Sequence, residues 1–193
     1  MEQGYLALVL HAHLPYVRHP EHQDALEENW LFEAITETYV PLFLVLESLI
    51  EDGIEFRLTF SVSPTLASML GDPSLQTRYC KKLEHLIELA GKEEARTASD
   101  PLFHPLARMY RALFARVREA FINRYGKNLL NGFRRFQDLG KIELMATAAT
   151  HGYLPLLSVN ESAVRAQVRV GIGSHERSFG RRPNGFWLPE CGY

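Results

Sequence analysis

Four short apolar runs, each closed by proline, histidine or serine, are separated by long stretches of helical character. This alternation constrains the chain more than any other feature. The runs are Tyr5 to Leu10, Glu55 to Ser63, Lys141 to Ala149, and Gly185 to Leu188. An apolar run of this length predicts a strand of a parallel sheet, buried on both faces. Between the runs, apolar residues recur at helical spacing. A helix is expected from Trp30 to about Asp52, kinked or split at Pro41. A short helix follows Pro64 and reaches Leu70, and longer ones cover 73–91, 101–125 and 128–139. Asp100-Pro101 supplies a cap and a first helical proline. Ser158-x-x-Glu161 has the pattern of a capping box and opens a helix to Phe179, despite Gly171 and Gly173. Strands alternating with helices imply a parallel sheet with right-handed crossovers. The reading is therefore an α/β fold of about four parallel strands, with a helical insertion over about 71–140.

In such folds, reactive groups gather at the C-terminal ends of the strands. The four runs end in His11 and His13, Ser61 and Ser63, His151, and Glu190. Glu190 is the leading catalytic candidate, because a carboxylate at a strand tip can act as nucleophile or acid. Neutral imidazoles donate and accept hydrogen bonds, which suits sugar hydroxyls. One of His11 and His13 is expected to face the interior, or both if the chain bends after His11. Trp30 and Trp187 each have a flat apolar face for a sugar ring; Trp187, within a strand, is equally at home in a core, whereas Trp30, after a polar loop, is the better cleft candidate. Glu33 lies one turn beyond Trp30. Cys191 reads as a packing residue, since no helix N-terminus or positioned histidine marks it as a reactive thiol. Histidines at x-spacing with a distant histidine and carboxylate also keep a metal reading open.

The remaining composition narrows the partners. A formal net charge of −2 gives no field for nucleic acid or an anionic membrane. The arginines at 108, 111, 116, 118, 134 and 135 alternate with acids and read as solvated helix faces. Two cysteines make no disulfide framework, and the N-terminus lacks a basic signal region. The expectation is a cytoplasmic protein without nucleic-acid or membrane partners.

Four ordered motifs carry a family resemblance: His11-Ala12-His13-Leu14-Pro15-Tyr16, Trp30-Leu31-Phe32-Glu33-Ala34, Ala149-Thr150-His151-Gly152-Tyr153-Leu154-Pro155, and Trp187-Leu188-Pro189-Glu190-Cys191. Together they resemble glycoside hydrolase family 57, and within it the 1,4-α-glucan branching enzymes. The resemblance implies an incomplete (β/α)7 barrel and a retaining mechanism on α-glucans. It assigns Glu190 as nucleophile, and places His11, His13, Trp30, Glu33, His151, Tyr153 and Trp187 at the substrate, an amylose or glycogen-like polymer. It implies no cofactor and no metal. The family's acid/base is an aspartate on a later barrel strand, and no position in residues 1–193 matches it. The chain is thus expected to be the first part of a catalytic domain, cut after the nucleophile strand and inactive alone. The alternatives are 4-α-glucanotransferase or α-amylase activity, or a metal-dependent polysaccharide deacetylase.

Overall fold

The computed structural model describes residues 4–22 and 25–193. Four parallel strands lie side by side in chain order: β1 (Val9–Ala12), β2 (Leu58–Val62), β3 (Ile142–Thr147) and β4 (Phe186–Trp187). The helices are α1 (Glu28–Glu33), α2 (Val40–Glu51), α3 (Pro64–Leu70), α4 (Pro73–Arg96), α5 (Phe103–Glu119), α6 (Leu130–Asp138), α7 (Leu154–Leu157) and α8 (Glu161–Phe179). Among the described residues, no helix is long and apolar enough to cross a membrane. The chain divides into two compact units. A sheet unit takes Met1–Val17, Gly53–Gly71 and Leu130–Tyr193, and a helical unit takes Arg18–Asp52 and Asp72–Leu129.

In the sheet unit, the central strands carry the core. Phe60, Val62, Leu144 and Ala146 are buried, and Phe133 meets both Phe60 and Phe179 edge to face. The first strand departs from expectation. Tyr5 and Leu6 are almost fully exposed, and pairing starts only at Leu8, whose carbonyl accepts from the Thr59 N–H at 3.1 Å. An apolar run signals the capacity for burial, but strand pairing also needs a neighbour, and β2 begins at Leu58. With one neighbour, β1 is an edge strand and Val9 stays exposed. It is not covered on both faces.

The helix α8 approaches β3 closely. A Cβ on Gly171 would collide with the carbonyl oxygen of Thr147. This glycine, which weakens the helix by propensity, lets the helix backbone lie against the strand end. The Ala149 N–H then donates to the Gln167 carbonyl at 3.0 Å. The cap of α8 is Asn160, whose side chain accepts from the Ala163 N–H at 3.2 Å. Ser158 instead donates its hydroxyl to the Pro155 carbonyl and closes α7, so the expected capping box does not form.

In the helical unit, α1 runs into a π-helical turn at Ala34–Tyr39 and then into α2. Pro41 falls in the first turn of α2, directly after the π turn. The Val40 N–H reaches back five residues to the Ile35 carbonyl, and the widened turn accommodates the proline without a break. A second π turn, Ala120–Arg124, extends α5. Asp100 accepts from Leu102 and Phe103 N–H groups, a residue or two ahead of the helix proper. Aromatic edges lock this unit: Tyr79 packs against Phe32 and Phe121, and Phe43 against Tyr125. Its buried polar groups are paired. Glu28 bonds Arg78 at 2.5 Å and accepts from the His19 N–H at 3.1 Å. The Tyr79 hydroxyl meets Thr36 Oγ1 at 2.8 Å, and Glu47 is held by Arg124 and by the Tyr125 hydroxyl.

Candidate active site

The C-terminal edge of the sheet carries three stacked imidazoles. His11 is the third residue of β1, with its Nδ1 hydrogen-bonded to Ser61 Oγ on β2. His13 lies just beyond β1, with Nδ1 2.9 Å from Ser63 Oγ. His151, after β3, lies flat against His13, with ring centroids 3.8 Å apart and planes 22° apart. Its Nε2 is 3.2 Å from Nε2 of His11, and its Nδ1 is 3.3 Å from Thr147 Oγ1. Both His11 and His13 therefore join the site. Of the two possibilities the sequence left open, one histidine or both, the second is found, because residues two apart share a face of a strand.

Trp187 on β4 extends the stack, with its ring 5.7 Å from His11 at 27°. It is half-buried, neither pure core nor open platform. Beyond it, Pro189–Cys191 forms a short 3-10 turn. Glu190 sits in that turn with φ 55° and ψ 23°, its side chain 72% exposed and Oε1 3.9 Å from Nε2 of His151. His151 and Cys191 also have positive φ, at 55° and 54°. Non-glycine residues avoid this left-handed region, and such outliers collect at functional sites. The turn is closed by the Cys191 N–H to the Leu188 carbonyl and the Gly192 N–H to the Pro189 carbonyl, each at 3.0 Å. Gly192 packs closely under Tyr153: a Cβ there would run into the ring unless the tyrosine shifted. Tyr153, the residue before α7, is thereby set beside the glutamate turn. Cys191 is exposed, not packed. The strand ends at Trp187, and the turn that follows leaves the Cys191 side chain at the surface.

Burial pulls all three imidazoles below the usual histidine range. His151 falls to about 4, from burial first and then from the neighbouring His13 and His11. His13 is lowered by burial and by His11, against the opposing pull of Glu190. His11 is lowered by burial, again opposed by Glu190. Near neutral pH the cluster is therefore uncharged. It faces the carboxylate with ring donors and acceptors, which suits hydroxyl-rich ligands. Among the described residues, no three His, Cys, Asp or Glu side chains are placed to hold a metal ion.

Trp30 and Glu33 lie on α1 in the helical unit; Trp30 is half-exposed and Glu33 exposed. Ser61 and Ser63 stood at a strand tip in the sequence without an assigned role, and Thr147 was passed over; all three are fully buried and each holds one ring nitrogen. Their signal was a polar residue at the tip of an apolar strand.

This geometry can be set beside known proteins. The model of glycosyl hydrolase family 57 matches residues 7–193. The chain belongs to glycosyl hydrolase family 57. This family 57 chain is 37% identical over 191 residues to the 1,4-alpha-glucan branching enzyme TK1436 of Thermococcus kodakarensis, covering 99% of itself and 27% of that enzyme. The crystal structure of the alpha-amylase AmyC from Thermotoga maritima superposes with a TM-score of 0.91 at 46% identity, over 97% of this chain and 35% of that one. A family 57 branching enzyme from Pyrococcus horikoshii gives a TM-score of 0.90 at 38% identity, over 98% of this chain and 35% of that one. The family 57 chain thus spans about a quarter of the curated relative and about a third of each solved structure. The α/β arrangement of four parallel strands is the fold it shares with them.

Proposed function

We propose that the protein carrying this chain is a retaining enzyme of α-1,4-glucans, and specifically a 1,4-α-glucan branching enzyme. The observation that carries this reading is the placement of Glu190: exposed at the tip of β4, held in a left-handed turn, and beside three neutral imidazoles and Trp187. In this reading the Glu190 carboxylate attacks the anomeric carbon and the glycosidic C–O bond breaks, leaving a glycosyl-enzyme ester. A second carboxyl group, roughly 5–5.5 Å away, protonates the departing oxygen. By the family resemblance this group is an aspartate of a later strand in an incomplete (β/α)7 barrel, outside residues 1–193. The same group then takes the proton from an acceptor hydroxyl as that hydroxyl displaces Glu190. A glucan 6-hydroxyl as acceptor gives a branch; a 4-hydroxyl gives disproportionation; water gives hydrolysis.

The histidines hold the sugar in the subsite of the attacked bond by its hydroxyls, and Trp187 and Tyr153 line it. The 37% identity to a branching enzyme supports the transfer reading. The 46% identity to an alpha-amylase supports hydrolysis as the second reading. Family membership favours both over the deacetylase. The deciding experiment is proton NMR of amylose incubated with the protein, with Glu190→Gln as control. New α-1,6 anomeric signal, lost at least a thousandfold in rate in the control, is the expected result. Reducing ends without α-1,6 signal would replace branching by hydrolysis, and redistributed α-1,4 chains would replace it by disproportionation.

A further inference from the structure

Ser63 Oγ touches three groups: Nδ1 of His13 at 2.9 Å, the Leu66 N–H at 3.3 Å, and Thr65 Oγ1 at 3.0 Å. Thr65 Oγ1 in turn lies 2.8 Å from the carbonyl oxygen of Leu14. The protons can be assigned from these contacts. A carbonyl has no proton to give, so the Thr65 hydroxyl donates to Leu14 and its one hydrogen is used. Thr65 Oγ1 can then only accept, so its contact with Ser63 is a hydrogen bond when the Ser63 hydroxyl donates to it and not to His13. Ser63 has two lone pairs left. One accepts from the Leu66 N–H, which caps α3. The other faces Nδ1 of His13, and all three contacts of Ser63 are satisfied together when Nδ1 carries a hydrogen. A secondary contact of 3.5 Å between Nδ1 and Thr65 Oγ1 has the same polarity. The other pair of rings differs: with both neutral, a single proton lies between Nε2 of His11 and Nε2 of His151. Among the described residues, Nε2 of His13 has no hydrogen-bond partner.

We propose that Ser63 and Thr65 are positioning residues that fix His13 in its Nδ1–H tautomer, so that Nε2 presents a lone pair to the ligand. His13 then reads a hydroxyl as a donor. A deoxy sugar, or a methyl ether at the same hydroxyl, offers it nothing. That the ligand is a glucan rests on the proposed function; the proton chain does not.

The two parts are tested separately. The first test is long-range proton–nitrogen correlation on histidine-labelled protein at neutral pH, with the His13 signal assigned by its loss in His13→Asn. The wild type is expected to show Nδ1–H. Thr65→Val keeps the side-chain shape but removes the acceptor, freeing the Ser63 proton to donate to Nδ1. His13 then moves toward Nε2–H, while Thr65→Ser keeps Nδ1–H. An Nε2–H tautomer in the wild type, or an unchanged tautomer in Thr65→Val, overturns the proton chain. The second test is kinetic. Thr65→Val is expected to raise KM for amylose about tenfold, the effect of one neutral hydrogen bond, with kcat little changed, and Thr65→Ser to restore it. A tautomer change with no change in KM overturns the assignment of Nε2 to the ligand.

Discussion

Glu190 and Cys191 hold backbone angles that L-residues adopt at a cost of about 1–2 kcal/mol each. The adjoining Cys191 gives a way to measure this strain without touching the carboxylate. Its side chain is exposed, so a substitution there is ordinarily worth under about 0.5 kcal/mol. Cys191→Val adds a branched Cβ to a left-handed residue and is expected to cost about 1–2 kcal/mol in urea unfolding. Cys191→Asn, which tolerates that region, is expected to cost nothing measurable. His175 gives a second test. It is 4% exposed, and neither ring nitrogen has a hydrogen-bond partner among the described residues. Burial lowers its pKa to about 4. A folded-state value below the unfolded value near 6.5 means that the unfolded chain binds the proton more readily. Stability is then fully present above about pH 6.5 and is lost as pH falls toward 4. His175→Leu is expected to raise stability by about 1–2 kcal/mol at neutral pH and to flatten the acid limb of a melting-temperature profile. At this scale the histidines and Glu190 were legible, because strand tips mark where such groups gather. The pairing of His11 with Ser61 was not, since it depends on which residue of β1 stands opposite which residue of β2.

The helices were legible by periodicity, and their interruptions were not. Pro41 announces a disturbance in the 30–52 helix, but only the backbone shows that a π turn absorbs it. Two capping candidates, Ser158 and Asn160, precede α8, and α7, a single turn, took the first of them. The packing partners of α1 and α4 were likewise invisible, because an amphipathic stripe does not name what covers it. Their closest link is the Glu28–Arg78 pair, with Glu28 at 1% side-chain exposure and Arg78 at 23%. Arg78→Ala leaves a buried carboxylate without its counter-charge. It is expected to destabilise by about 3 kcal/mol or more in chemical denaturation. Replacing the pair together, as Glu28→Leu with Arg78→Met, is expected to recover part of that loss.

Across the whole molecule, a parallel sheet was readable because strands alternate with helices, whereas the order β1 to β4 came only with the structure, since alternation alone does not fix it. The two-unit division was only half readable: a helical insertion was expected over about 71–140, but residues 18–52 build one helical body with 72–129, and Leu130–Asp138 belongs to the sheet unit. The sheet carries a practical liability. The exposed Leu8 and Val9 border the outer edge of β1, where backbone groups face no strand among the described residues. Unprotected edges pair with other chains. The 193-residue chain is expected to self-associate at micromolar concentrations in sedimentation velocity, and Val9→Lys to reduce this. A monodisperse monomer would refute it.

The helical body also has a history as the protein is made. Residues 18–52 leave the ribosome first, carrying Glu28, Thr36 and Glu47. Their partners Arg78, Tyr79, Arg124 and Tyr125 come only after β2 and α3 have been synthesised. At about 5–20 residues per second, the first helices wait several seconds with the Glu28 and Glu47 carboxylates lacking the arginines they meet in the fold. In that interval α1 and α2 cannot bury those faces cheaply, and so are kept from closing prematurely on themselves.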